Sequence, residues 1–370
     1  MTRHQITSSM SHKTGRLRRS VGCCGAVMTR AFYVCVVLVA GIALAACSSS
    51  LLSGDPSIRN TTRILGTRAY VTVTLDGGAR LVIRHNIPIT RATTALDALR
   101  DVADVRLGAG GHVVQVNGYG GGRETALGPD QSAWYVRING VESSVDPARL
   151  RLKPGATVWW DLRRFDIYKH VPVAIGEFPN PLFTGYRDNS RPLRIAYGPD
   201  FQGDAQFLRN TIFQRFDPEV RPLRDSGTFG GITGHSGPVP TVAVRTDRAN
   251  LVIGRWDDIK LDPYVLDIGL DPRGYGLTSW IEGAQIRQQP VDSEFDHVID
   301  GAQGVVWAST VDGADDSAIV FVITGTTNAG VHGAVKALRA GRMQYFLSAA
   351  VDDKGNVIAG VPNGPLPEPR

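Results

Sequence analysis

The side chains able to do chemistry are thinly spread. All four cysteines, Cys23, Cys24, Cys35 and Cys47, lie in the first 47 residues. Nothing after Cys47 can supply a disulfide, a zinc thiolate or a cysteine nucleophile. Six histidines follow (His85, His112, His170, His235, His297, His332), none spaced as H-x-x-x-H or H-E-x-x-H. The densest ligand-type group is Glu294, Asp296, His297 and Asp300. It offers carboxylates and an imidazole to a metal, or is a solvated loop. Asp257 and Asp258 could form a carboxylate pair. Ser236, in Gly234-His235-Ser236-Gly237, lacks the G-x-S-x-G frame of a nucleophile elbow. No catalytic constellation assembles, no metal site is assigned and no cofactor can be named. The chain reads as a binding protein rather than an enzyme. A hydrolase acting through Asp257, Asp258 or His297 is a third reading behind two non-enzymatic ones.

Two stretches could bind. In Trp134 to Ile138, alternation puts Trp134, Val136 and Ile138 on one strand face and Tyr135 and Arg137 on the other. In Val158 to Arg163, it sets Val158, Trp160 and Leu162 against Trp159, Asp161 and Arg163. Tyr135, Arg137, Trp159, Asp161 and Arg163 on one exposed sheet face would make a polar–aromatic surface for a small molecule or glycan. The other reading packs that face against the rest of the chain. The second stretch is Thr324-Gly325-Thr326-Thr327-Asn328, a small polar loop between an apolar strand and a helix. Thr324 and Thr326 there could meet an anion or a sugar, because helix N-termini present free N–H groups. The loop lacks the lysine and glycine spacing of a P-loop or dinucleotide fingerprint, and helix capping alone would also explain it.

Charge and targeting come from the N-terminus. Six of the 40 basic residues and none of the 35 acidic ones precede Cys47, which leaves 34 against 35. The net charge of +5 therefore belongs to the leader, and no nucleic-acid partner is expected. Arg16, Arg18, Arg19 and Arg30 come before an uncharged apolar run, Ala31 to Ala46, too short for a comfortable membrane span. Leu44-Ala45-Ala46-Cys47 resembles the lipobox of bacterial lipoproteins. The resemblance implies cleavage before Cys47, lipidation of its sulfur, and a protein held on the extracytoplasmic face of the cell membrane. Residues 1–46 are then a signal peptide and 47–66 a Ser-rich tether.

Regular structure is expected from residue 67. Tyr70 to Leu75 and Leu81 to Ile83 flank Asp76-Gly77-Gly78 as a hairpin. Thr94-Ala95-Leu96-Asp97 has the pattern of a capping box and opens a helix to about Val102. Strands follow at His112–Val116, Ala133–Ile138 and Ala156–Arg163. This order is that of a β-grasp, one mixed sheet wrapping one helix.

Thr94-Ala95-Leu96-Asp97-Ala98-Leu99 resembles the T-x-L-D-A-L helix of the transcobalamin C-terminal-like (DUF4430) family. Val116-Asn117-Gly118 is similar to its I-N-G strand end, and Trp134 to Gly140 to its W-x-Y-x-V-N-G segment. Leu152 to Val158 resembles its closing strand, with Ala156 where the family usually has Asp. The resemblance covers about residues 68–165 and implies a binding module of exported proteins. The helical partner of the animal cobalamin carriers is absent, so cobalamin does not carry over.

Phe165 to Gly185, rich in Pro and aromatic residues, reads as an ordered connector that covers an edge of the first domain. Beyond it, strands are expected at Leu193–Tyr197, Thr241–Arg245, Asn250–Gly254, Gly304–Ala308 and Ala318–Ile323. Helices are expected at Asp204–Phe216 and Ala329–Ala340. A buried apolar strand leading straight into a helix indicates an α/β sheet. The fold class expected is therefore α+β: a β-grasp domain at 67–165, a connector at 166–190, an α/β domain at 191–360, and a Pro-rich disordered tail at 361–370. Two functions fit: an anchored lipoprotein binding a small molecule or glycan, or an envelope scaffold that contacts a protein partner.

Overall fold

Arg68–Leu75 forms β1, and Arg80–Pro88 pairs with it antiparallel as β2. Asp76, Gly77 and Gly78 at the turn all take positive φ, the reason for its glycines. The computed structural model describes residues 67–120, 132–164, 170–186, 189–223, 243–291, 293–312 and 317–362. All of these lie in one compact unit, Asp55–Arg370. Cys47, the segments expected as leader (1–46) and tether (47–66), and Gly234–Gly237 fall outside them. No helix among the described residues is long and apolar enough to cross a membrane.

Helix α1, Ala95–Arg100, is capped as expected. Asp97 N–H donates to Thr94 Oγ1 at 3.1 Å, and Thr94 N–H donates to Asp97 Oδ2 at 3.0 Å. The Thr94 hydroxyl, donating to Asp97 Oδ2 at 2.7 Å, and then the Thr94 N–H hold the Asp97 carboxyl below its usual range. Then come β3 (Val105–Leu107), β4 (Val113–Val116), β5 (Tyr119–Gly120), β6 (Ser132–Ile138), β7 (Val141–Glu142) and β8 (Thr157–Arg164). The first sheet runs β2-β1-β8-β6-β7, with β1 and β8 parallel at its centre, and β3-β4-β5 form a separate small sheet. One face of the first sheet offers Val71, Val73, Val136, Val158 and Trp160 to Leu96 and Leu99 of α1. The alternation of the strands fixes that face.

After a one-turn helix, α2 (Asn180–Thr184), the second sheet begins with β9 (Leu193–Tyr197), α3 (Gln202–Thr211) and β10 (Glu219–Pro222). It continues through β11 (Ala249–Arg255), α4 (Trp256–Ile259) and α5 (Pro263–Leu270). A small sheet of β12 (Ser279–Glu282), β13 (Gln285–Gln288) and β14 (His297–Val298) interrupts it. Then come β15 (Gly304–Thr310), β16 (Ile319–Gly325), α6 (Asn328–Arg339), β17 (Ser348–Val351) and β18 (Val357–Val361). The seven strands lie in the order β10-β9-β11-β16-β15-β17-β18. The first four are parallel, and the hairpin β15–β16 brings in the antiparallel remainder. The central strands are apolar on both faces because α3 and α6 cover one side while α4 and α5 cover the other. The architecture is mixed α and β, mostly strand.

Three sequence expectations differ from the structure. Ala243–Arg245 is not a strand: Ala243 and Val244 donate their N–H groups to Asp262 Oδ2, and Arg245 donates to Asn250 Oδ1. Side chains have replaced the ladder. The helix expected to reach Phe216 ends at Thr211, because Phe213 turns fully into the core, edge-on to Phe178 and Phe183. Val361 is the buried end of β18, so chain assigned to the tail belongs to the sheet.

Candidate functional site

The five aromatic and charged residues of the first sheet do share a face. Register sets Tyr135 opposite Asp161, Arg137 opposite Trp159, and Thr74 beside Asp161. That face is not open to solvent. Arg137, Trp159, Asp161 and Arg163 are buried, with Tyr135 partly so. Trp159 packs against Val171, Ala174, Val291, Leu347 and Val361, and Tyr345 meets its ring edge-on at 6.2 Å. The expected binding surface is thus corrected to an internal interface. Connector and second-sheet residues cover it because the face carries large rings whose exposure would cost more than their polar tips gain.

The charges inside it are organised around Glu142, which no sequence pattern singled out. Arg137 and Arg163 each donate through Nη2 to Glu142 Oε2, at 2.9 and 2.8 Å. His170 Nδ1 lies 2.9 Å from Oε1. Burial alone would raise the Glu142 carboxyl, but Arg163, Arg137 and the His170 hydrogen bond outweigh it and hold it at about 2. Burial pulls Arg137 down to about 10 against the opposing pull of Glu142. Burial likewise raises Asp161, although Arg163, Arg137, Thr74 and Gly78 oppose it. Thr74 Oγ1 donates to Asp161 Oδ1 at 2.7 Å and accepts from Trp159 Nε1 at 2.8 Å, so the ring, the hydroxyl and the carboxylate form one chain. The missed Glu142 sits two residues after the Asn139-Gly140 turn, in a two-residue strand too short to show alternation.

A second constellation lies at the carboxyl ends of the parallel strands. Chain leaving β9 enters α3 on the face of Ile195 and Ile253, whereas chain leaving β11 enters α4 and α5 on the face of Val252. Adjacent strands whose exits diverge leave a crevice between them. Gly198 closes its floor, donating N–H to Ile253 O at 2.8 Å. Above it, two rungs join α3 and the turn before it to α6. Asn328 Nδ2 donates to Asp200 Oδ2 at 2.7 Å, and His332 Nδ1 lies 2.6 Å from Asp204 Oδ2. On the β11 side, Arg255 donates to Asp257 Oδ2 at 3.1 Å. Thr324 Oγ1, Arg255 Nε and Asn328 Oδ1 are enclosed at this end without a hydrogen-bond partner among the described residues. Asp200, Asp204, Arg255 and His332 were not found as binding residues from the sequence, and Asn328 closes the loop that was singled out for Thr324 and Thr326. Asp204 and His332 are 128 residues apart, with no local pattern to join them.

This corrects the reading of Thr324 and Thr326. Thr324 is fully buried within β16 rather than in the loop. Thr326 N–H already donates to Gln303 O at 2.9 Å, and Gly330 N–H to the capping Thr327 Oγ1 at 3.0 Å. With those donors satisfied and the Asp200 carboxylate beside Asn328, the α6 N-terminus is poorly suited to an anion. Gly330 is required there, since a Cβ would lie 2.0 Å from Gln303 O. Carboxylates, an amide and a guanidinium together suit hydroxyl groups, which both donate and accept.

The remaining candidates resolve into structural contacts. Asp257 bridges Arg255 and Lys260, the latter at 2.6 Å, rather than pairing with Asp258. Asp296 pairs with Arg287 and, at 3.4 Å, with Arg273. Among the described residues no three His, Cys, Asp or Glu side chains gather to hold a metal ion. At the opposite end of the sheet, a cavity between Tyr186, Arg191, Ala249 and Ile319 has a volume of about 10 Å³, room for one water.

No protein-family model matches the chain. No curated protein matches it either. Among solved structures, a "putative metal binding protein" from Ruminococcus gnavus aligns with 26% of this chain and 97% of its own, at 18% identity and a TM-score of 0.20.

Proposed function

We propose that the chain is a lipid-anchored extracytoplasmic binding protein, and that it holds a hydroxyl-rich small molecule or glycan in the crevice at the carboxyl ends of β9, β11 and β16. The carrying observation is the divergence of α3 and α4 from the neighbouring strands β9 and β11, the position at which open α/β sheets take their ligands. The residues assigned are Asp200, Asp204 and the Asn328 Oδ1 as acceptors and Arg255 as donor, with His332 orienting Asp204. The anchor is the lipidated Cys47, supported by the order of basic segment, apolar run and small residues before it.

We further infer that the first sheet is a β-grasp of the transcobalamin C-terminal-like kind. Support comes from a β1–β2 hairpin, a capped helix and a parallel β1–β8 pair, together with the four sequence blocks. In this reading the module braces the second sheet through Trp159, is tied to the connector through Glu142 and His170, and holds no ligand on that face.

The test is a thermal-shift panel of sugars, cell-wall fragments and polyols on the mature lipoprotein in detergent. A ligand at 100 times its Kd stabilises by roughly 2.7 kcal/mol. The shift should vanish in Arg255→Ala/Asn328→Ala while the unliganded melting point changes little. Retention of the shift in that variant would sink the assignment.

A further inference from the structure

Helix α5 is apolar on the side that faces away from the core. Val265 and Ile268 are completely buried beneath it, and the Trp256 ring covers Gly269, where a Cβ would lie 2.5 Å from a ring atom. At 100° per residue, Leu266 and Leu270 fall one turn apart on the outer side. Leu270 is 74% exposed and Leu266 41%. Tyr264, Leu266 and Leu270 are three of the eight large apolar side chains exposed among the described residues, all on one eight-residue helix. Phe295, 79% exposed, belongs to a loop tied to the turn after α5 by Arg273 and Asp296. A helix apolar on both faces normally has a cover.

Beside the leucine row stand Asp267 and, at the C-cap of the helix, Asp271, both exposed. Neither aspartate has a cationic partner among the described residues; Asp267 accepts from the Tyr275 hydroxyl, and Asp271 from Gly274 N–H at 3.1 Å. The Tyr275 hydroxyl is pushed up to about 12 by the Asp267 hydrogen bond first, then by burial and the nearby charges of Asp267, Asp312 and Asp271. The nearest arginines, Arg273 and Arg287, are both engaged with Asp296. Glu294 is exposed next to Phe295.

We propose that the outer face of α5, with Phe295, docks an amphipathic, basic helix of a partner protein: apolar residues on Leu266 and Leu270, lysines or arginines on Asp267 and Asp271. Charge complementarity selects this occupant. A second copy would set aspartates against aspartates, and an anionic bilayer would be repelled. The inference does not depend on the crevice reading.

The probe is a labelled 18-residue amphipathic peptide with a leucine stripe flanked by lysines, and a twin with glutamate for lysine. Binding to the mature lipoprotein in detergent is followed by anisotropy at low and high salt. The lysine peptide should bind, weaken at high salt, and lose at least tenfold in affinity with Leu266→Ser/Leu270→Ser and with Asp267→Asn/Asp271→Asn. The glutamate twin should not bind, and Arg255→Ala/Asn328→Ala should bind like the parent, which separates this surface from the crevice. Equal binding of both peptides, or parental affinity in either α5 variant, would overturn the proposal. So would a concentration-dependent dimer in sedimentation that Leu266→Ser/Leu270→Ser abolishes, for the occupant would then be a second copy.

Discussion

Replacing Glu142 by Gln removes the one carboxylate on which Arg137, Arg163 and His170 converge. Both arginine side chains have no solvent exposure and the glutamate has 4%, so water cannot take over its role. Removing one partner of a buried pair costs about 3–5 kcal/mol because it leaves buried charge behind; Asp161, the other buried carboxylate acting on Arg163 and Arg137, sets the expectation at the lower end. A second route gives a similar size. The Glu142 carboxyl sits at about 2 instead of 4.5, and a shift of that order corresponds to about 3 kcal/mol of stability at neutral pH. The sign follows from the depressed folded value. The contribution is present above pH 4.5 and is lost as pH falls toward 2. Asp161 and Glu177, whose carboxyls are raised first of all by burial, act in the opposite direction on acidification. The parent and the variant must therefore be compared at each pH. Urea unfolding should show Glu142→Gln about 3 kcal/mol less stable at pH 7, with the gap closing between pH 4.5 and 2. A loss under 1 kcal/mol at pH 7, or a gap independent of pH, would refute the reasoning.

Other substitutions test other parts of the fold. Trp159→Ala should cost about 3–5 kcal/mol by urea unfolding, because its 1% exposed ring fills the junction and donates to Thr74. Gly176→Ala would place a Cβ 2.1 Å from the Tyr345 backbone nitrogen, and the backbone shift it forces should lower stability by about 1–3 kcal/mol. Thr94→Ala removes half of the capping box and should cost about 1 kcal/mol, with helix α1 amides exchanging faster. Cys47→Ser should move the protein from the membrane fraction to the soluble one and abolish incorporation of a fatty-acid label. Unchanged fractionation and labelling would remove the lipid anchor.

How far the fold could be read varies with how local its causes are. The capping box at Thr94, the glycines of the Asp76 turn and the alternation at Trp134–Ile138 are each decided within a few residues, and the structure has them where the pattern puts them. The strand expected at Thr241–Arg245 fails over its described residues, Ala243–Arg245, because their partner is Asp262, a residue almost twenty positions away. The short strands β12 to β14 carry too few residues for alternation to register, and helices α4 and α5 are one and two turns long. The site followed the same rule. Alternation put Tyr135, Arg137, Trp159, Asp161 and Arg163 on one face, but whether that face met water or protein depended on Val171, Val291, Tyr345 and Leu347, which sequence distance conceals. The crevice residues Asp204 and His332 come together only through sheet order.

The most direct test of the central claim is amide chemical-shift mapping of a binder from the sugar and cell-wall panel. Shifts concentrated at Gly198–Asp200, Arg255–Asp257 and Thr326–Asn328 are the expected result. Shifts centred on Arg137 and Trp159, or no binder anywhere in the panel, would contradict a ligand site at the carboxyl ends of the strands.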